Sequence, residues 1–444
     1  MADSAHSTAV QRLDAEEART VFCKQAIPSR WFNVIPHLPE PIPVSQDPQD
    51  GKESRVECMK RIRVAKMVEQ DSIIDPWIDI PQAIYDEYLE VGRPTPLYRA
   101  RTLERALCTP ARLYFKREDL LPTGSFKLNS AIAQAYYAAK EGAVGLVTET
   151  GAGQWGHSLA YACNRFGLEA VVFWVKVSKA QKPYRVVLSQ LLGATIYDSP
   201  SDRTASGRCV LGKDPECTGS IGSAIGDAIS FAMDNPEYKY VSGSNLPHVL
   251  LHQTVIGLET RAQLTAIGES PTHLVACVGG GSNLGGFMNP FLPEKLQGTH
   301  APVFFAAESD VAPRLTEGQY RYDHADPAGL TPLTLSYTLG MDYVPPAVHV
   351  GGLRQHSGSA IVGLLRKHGL LEARAYNQAD AFKAGQLMAE LERILPAPES
   401  CHAVKAVIDL ATAAKASGES LVIVACLSGH GILDLQGYKN VLGL

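Results

Sequence analysis

From about residue 112 onward, short apolar runs alternate with longer segments whose apolar positions recur at helical spacing. The short runs Leu113–Lys116, Gly145–Thr148, Ala170–Val177, Ala194–Asp198, His273–Val278, Val303–Ala307 and Leu421–Leu427 predict strands. The periodic segments Lys127–Lys140, Gly156–Phe166, Ala180–Leu192, Ile221–Met233, Leu250–Ile267, Ala360–His368 and Gln378–Leu391 predict helices. Gly142, Gly167, Gly193 and Gly369 follow helices where a left-handed stop is needed. Strand–helix alternation predicts an α/β fold with a mainly parallel sheet. Before residue 92 the texture differs: a Pro-rich lead-in (Leu38-Pro39-Glu40-Pro41-Ile42-Pro43) precedes a charged helical candidate over Lys60–Gln70. No internal repeat or low-complexity tract interrupts the pattern.

With 444 residues the chain is long enough for a large core and two domains. A net charge of -5 offers no basic footprint, so nucleic acid is not an expected partner. Nine scattered cysteines without a C-x-x-C pair read as reduced thiols of a cytoplasmic protein, not as a disulfide framework or a zinc site, and no metal site is expected. The first thirty residues lack the apolar stretch of a secretory signal, and Asp14, Glu16 and Glu17 argue against a transit peptide. No run approaches the ~18 apolar residues of a membrane span.

Candidate chemistry collects where predicted strands end. Lys127 lies in Pro122-Thr123-Gly124-Ser125-Phe126-Lys127-Leu128-Asn129 at the start of a helical segment, where Ser125 can accept from free backbone N–H groups. A helix N-terminus and partial burial both disfavour an ammonium, which suits an amine that forms a Schiff base with an aldehyde cofactor. Alone, this motif more often marks an ordinary surface lysine. Three further strand ends change the weighting. Gly279-Gly280-Gly281-Ser282-Asn283 exposes backbone N–H groups to an anion such as a phosphate. It does not spell the dinucleotide fingerprint, although Glu308 ends the next strand. Thr150-Gly151-Ala152-Gly153-Gln154 offers a second cradle, sized for a small carboxylate, with Glu149 just before it as a candidate acid or base. Ser428, after the last strand, can donate to a heterocycle nitrogen. A lysine nucleophile, two anion cradles and a neutral donor together point to pyridoxal 5'-phosphate acting on an amino acid. A neutral serine leaves the pyridine nitrogen unprotonated, which favours β-elimination and β-replacement.

From about Trp31 onward the chain resembles the tryptophan synthase β subunit in its second, longer type. The resemblance rests on Leu38-Pro39-Glu40-Pro41, Gly92-Arg93-Pro94-Thr95-Pro96-Leu97, Glu149 to Gly156, Gln181-Lys182-Pro183-Tyr184-Arg185 and His248 to Thr254. It continues through Gly279 to Asn283, Tyr320-Arg321-Tyr322-Asp323, Pro396 to Ser400 and Ser428-Gly429-His430-Gly431. It implies a fold type II pyridoxal phosphate enzyme with two parallel-sheet domains and the cofactor in the cleft. The expected division is a lead-in over 1–92, a mainly N-terminal α/β domain with a mobile substrate-closing part over 93–250, and a mainly C-terminal domain with the phosphate loop over 251–444, with chain crossovers between them.

By the same resemblance Lys127 is the Schiff-base lysine and Glu149 the acid–base group. Gly279, Gly280, Gly281, Ser282 and Asn283 bind phosphate, and Asn129, Glu399 and Ser428 adjoin the cofactor. Thr150, Gly151, Ala152, Gly153 and Gln154 bind the substrate carboxylate, and Asp342 approaches the substrate hydroxyl. The implied reaction is replacement of the L-serine hydroxyl by indole, through an aminoacrylate, to give L-tryptophan. A monovalent cation and a homodimer are also implied, and an α-subunit partner stays open.

The chain departs from the family pattern at Phe126 (a family histidine), at Gln355 and Ser357, at Pro247 (a family asparagine) and at Asp380 (a family glutamate). These departures keep open the same chemistry with another nucleophilic acceptor. A threonine synthase- or dehydratase-like β-elimination and a non-catalytic paralogue are the remaining alternatives.

Overall fold

The computed structural model describes residues 20–21, 27–298 and 301–444. The run Val422–Leu427 is apolar and buried at every position, and Gly145–Thr150 is buried throughout although it carries Glu149 and two threonines. Strands covered on both faces are characteristic of parallel sheets. The larger sheet has seven strands in the order Thr20–Val21, Leu97–Arg99, Arg112–Arg117, Val422–Leu427, His273–Cys277, Val303–Ser309 and Leu371–Tyr376. Its first two pairings are antiparallel and the other four parallel. The smaller sheet, all parallel, runs Thr195–Ser199, Glu169–Val175, Gly145–Thr150 and Tyr238–Tyr240. The chain therefore builds one edge of the large sheet, leaves to form the small one, and returns to complete the first.

Gly142, Gly167, Gly193 and Gly369 all adopt positive φ after their helices. Two expected helices are broken. The segment expected over 180–192 is divided because Pro183, which has no N–H to give, takes the first position of a new helix, Pro183–Leu191, after the short helix Lys176–Ala180. The charged candidate over 60–70 becomes Arg55–Ile62 and Ala65–Gln70, with Arg63 extended between them and bridged to Tyr240. Among the described residues no helix is long and apolar enough to cross a membrane.

A buried ionic network joins the large sheet to the helix Pro247–Ala266. Arg93 pairs with Glu118 at 3.0 Å and Glu259 at 2.8 Å, and Lys116 reaches Glu259 at 2.7 Å. Two cations and two carboxylates balance, as burial of charge demands.

Candidate active site

Ser125 Oγ accepts the Lys127 N–H at 3.3 Å and fixes the turn into the helix Leu128–Lys140. Lys127 Nζ donates to the Gly243 carbonyl and, at 2.9 Å, to Ser282 Oγ. Burial pulls this amine down to about 8, against the opposing pull of Glu149. The Phe126 ring centroid lies 4.9 Å from the ammonium. Phe126 itself is packed into the main core and is not part of the cavity wall.

Glu149 stands near the end of the strand Gly145–Thr150 and is 3 % exposed. Burial pushes its carboxyl up to about 7, although Tyr240 and Ser242 hydrogen-bond it and Thr148 Oγ1 lies 3.4 Å away. The loop that follows is pinned from outside. Trp174 Nε1 donates to the Gly151 carbonyl at 2.8 Å, and Arg185 donates to the Ala152 carbonyl at 2.8 Å. Arg185 and Lys182 both pair with the buried Asp434. Gly153, at φ +85, admits no side chain, because a Cβ there would fall 1.8 Å from Trp174 Cζ2. Gln154 Nε2 reaches Glu399 Oε2 at 3.5 Å, and Glu399 Oε1 accepts the Gly352 N–H at 2.8 Å.

The glycine loop after the strand His273–Cys277 is held through its carbonyls. Arg314 donates twice to Gly279 O, at 3.0 and 2.6 Å, and Ser359 N–H donates to Gly280 O at 2.8 Å. A Cβ at Gly279 or Gly280 would come within 2.2 Å of the Gly352 carbonyl or 2.6 Å of Ser244 Cβ. Asn283 places Nδ2 3.2 Å from Cys426 Sγ, while its buried Oδ1 has no partner. Exchanging the two amide atoms, which have the same outline, gives the Cys426 thiol an acceptor. It also leaves an unused N–H donor beside the glycine loop, the complement of an anion. The loop and Asn283 thus fit a phosphate.

Ser428 follows the strand Val422–Leu427, with Oγ 2.7 Å from Ser400 Oγ and 3.4 Å from Cys277 Sγ. Burial pushes the Cys277 thiol up to about 12, so these neighbours are neutral. The Ser428 carbonyl accepts the Phe126 N–H at 3.1 Å, tying the last strand end to the lysine turn.

A cavity of about 60 Å³ brings together Lys127, Glu149, Thr150, Gly151, Ala152 and Gln154. Gly153, Gly279 to Asn283, Glu399 and Ser428 are not in its wall, and neither are Asp342 and Asn129. Asp342 sits on an exposed turn. Asn129 is committed to the buried ionic network: Arg93 donates to its Oδ1 at 2.7 Å, and its Nδ2 donates to Glu118 and Gln253 at 3.0 Å. Sequence reasoning missed Ile221, Gly243 and Ser244 in the wall, which come from segments without local motifs, while Arg354 and Gln355 lie in a stretch read for its departures from the family pattern and not as site residues.

The family model described as "Pyridoxal-phosphate dependent enzyme" matches residues 88–429. The Tryptophan synthase beta chain 2 of Methanothermobacter thermautotrophicus is 49% identical over 96% of this chain and 98% of its own. That of Thermotoga maritima is 50% identical over 93% of this chain and 98% of its own. Among solved structures, a threonine deaminase of T.th. aligns over 79% of this chain and 97% of its own with TM-score 0.56 and 22% identity. Isoform 2 of the threonine deaminase from Solanum lycopersicum, in its processed form, covers 92% of this chain and 100% of its own with TM-score 0.58 and 18% identity. The last two share the fold.

Proposed function

The chain belongs to the pyridoxal-phosphate-dependent enzymes and, within them, to the tryptophan synthase β chains, and on that premise we propose that it joins L-serine to indole by β-replacement, giving L-tryptophan and water. Pyridoxal 5'-phosphate is the family's cofactor. When bound, it supplies an aldehyde for the substrate amine and an electron sink that acidifies the substrate Cα–H. Lys127 would hold its aldehyde end, Gly279 to Asn283 its phosphate and Ser428 its ring nitrogen.

The observation that carries the reading is an amine held at about 8 and a carboxyl held at about 7 in one cavity. Each changes protonation state near neutral pH, as an acid–base catalyst must. The backbone of Thr150 to Gln154 seats the substrate carboxylate, held rigid by Trp174 and Arg185. Lys127 Nζ takes the α-proton. The Glu149 carboxyl gives its proton to the departing hydroxyl, which leaves as water, and the resulting carboxylate takes a proton from the incoming indole. The homodimer implied by the family resemblance is part of this proposal.

The test supplies holoenzyme with L-serine and a panel of indole, phenols and thiols and identifies products by mass. Tryptophan is expected to dominate. A dominant adduct of another nucleophile would overturn the choice of acceptor, and a Lys127→Ala variant turning over at the parent rate would overturn the assignment of the lysine.

A further inference from the structure

Two hydroxyl groups stand behind Glu149, on a segment that carries no motif. The strand Tyr238–Tyr240 pairs in parallel with Gly145–Thr150, placing Tyr240 opposite Val147, and Val241 N–H extends the ladder to the Val147 carbonyl at 3.0 Å. This register brings the Tyr240 phenol into hydrogen-bond contact with the Glu149 carboxyl group. Ser242 Oγ donates to Glu149 Oε1 at 3.3 Å. Thr148 Oγ1 lies 3.4 Å from the other carboxyl oxygen, but a hydroxyl has one hydrogen, and this one goes to the Val241 carbonyl at 2.5 Å. Thr148 Oγ1 in turn accepts from Trp155 Nε1 at 2.6 Å. The phenol and Ser242 are therefore the two hydroxyl donors to Glu149. All three residues are nearly sealed: Tyr240 is 4 % exposed, Ser242 3 % and Glu149 3 %.

Their placement is specific in a second way. Glu149 lines the cavity that contains Lys127. Tyr240 and Ser242 line a separate, larger and mostly apolar cavity whose wall also includes Met59, Arg63, Asp71 and Ile225. The two hydroxyl residues thus form the partition between the cavities, with Glu149 on one side. Arg63 braces the partition through its backbone bridge to Tyr240 and is itself paired with Asp71.

We propose that Tyr240 and Ser242 are positioning residues that hold the Glu149 carboxylate by two donated hydrogen bonds, so that its acid and carboxylate forms are both reached during turnover; this rests on Glu149 being the acid–base group. Hydrogen bonds from neutral donors favour the carboxylate form, and burial opposes it. Lys127, from the helix start, is the cation facing Glu149, and Arg63 with Asp71 lies behind Tyr240. Burial and the adjacent carboxyl group raise the phenol well above its ordinary value, so Tyr240 stays a donor throughout. Without these donors the carboxyl group keeps its proton at neutral pH, and the half of the reaction that needs the carboxylate slows.

An infrared titration of the holoenzyme tests this, with the Glu149 carboxyl band assigned by its loss in Glu149→Gln. In Tyr240→Phe, which keeps the ring, the midpoint is expected to move up by about one pH unit, the weight of a hydrogen bond to a charged group. Ser242→Ala moves it less, the double variant moves it furthest, and Ser242→Thr restores the parent midpoint. In Tyr240→Phe, kcat is expected to fall more than KM for L-serine changes, with the cofactor absorbance unaltered. An unmoved midpoint in both single variants, alongside an inactive Glu149→Gln, would overturn the positioning role while leaving the acid–base reading intact. A Glu149→Gln variant active at the parent rate would instead remove that reading, and the proposal with it.

Discussion

Replacing Gly153 by alanine tests whether the loop after Glu149 is shaped by backbone and packing together. Gly153 sits at φ +85, and a Cβ there would approach Trp174 Cζ2 to 1.8 Å and Cη2 to 2.1 Å. Trp174 is fully buried and its indole N–H holds the Gly151 carbonyl, so the ring has no free direction to move. Gly167 supplies an internal control, because it has φ +70 and nothing within 4 Å of its would-be Cβ. Gly167→Ala therefore meets only the left-handed backbone cost, about 1–2 kcal/mol. Gly153→Ala adds overpacking of about 1–3 kcal/mol and loss of the indole hydrogen bond at about 1 kcal/mol. The expected total is about 3–6 kcal/mol, so the two variants differ by about 2–4 kcal/mol. Urea denaturation of both variants measures the difference, and steady-state kinetics with varied L-serine measures the loop. KM for L-serine should rise in Gly153→Ala and stay at the parent value in Gly167→Ala. Equal stabilities for the two variants would refute the reasoning.

Two further expectations concern buried charge. Glu149 is held at about 7 against an ordinary 4.5, so between those values the folded chain keeps a proton that the unfolded chain has released. Its contribution is fully present below about pH 4.5 and is lost as pH rises through about 7, an effect of order 3 kcal/mol. Glu149→Gln should therefore be more stable than the parent at pH 8 with no such gain at pH 4, as read by denaturation at both values; identical pH dependence would refute the assignment. Asp434→Ala leaves Lys182 and Arg185 as buried cations without their shared carboxylate, a loss of about 3–5 kcal/mol. Because Arg185 also holds the Ala152 carbonyl, KM for L-serine should rise with it. A variant as stable as the parent would show that the triad is not a structural anchor.

The parts of the fold that were legible in the sequence have strong local signals. Strands covered on both faces read as continuous apolar runs, and helices ended by glycine read as period plus stop. The helix Pro398–Ser417 escaped because small residues such as Ala403, Ala406, Ala411 and Ala414 are buried along it, and a helix covered on several sides lacks a clear polar face. The strand Leu371–Tyr376 escaped because its alternation uses alanine and charged residues at a sheet edge. In the site, the glycine loops were visible since close backbone approach needs glycine. Tyr240, Ser242 and Gly243 were not, because a three-residue strand has no period to detect. Phe126 was read as bearing on the acceptor. Its ring lies in the core, with its centroid 4.9 Å from the Lys127 ammonium.

The order of the large sheet works as a ruler. The strands Arg112–Arg117, Val422–Leu427 and His273–Cys277 are immediate neighbours, and the segments leaving them carry Lys127, Ser428 and the Gly279 loop in that order. Adjacent strands stand ~4.8 Å apart, so the three segments set out about one strand width from one another, and the Lys127 side chain then crosses to Ser282 of the anion loop at 2.9 Å. Loops elsewhere can lengthen without disturbing this scale. Exchanging two of these strands, or slipping one by a residue, would alter it at once, so the tolerance of this protein to insertion should be lowest in the sheet and turns that mark the ruler, and highest at surface connections far from it.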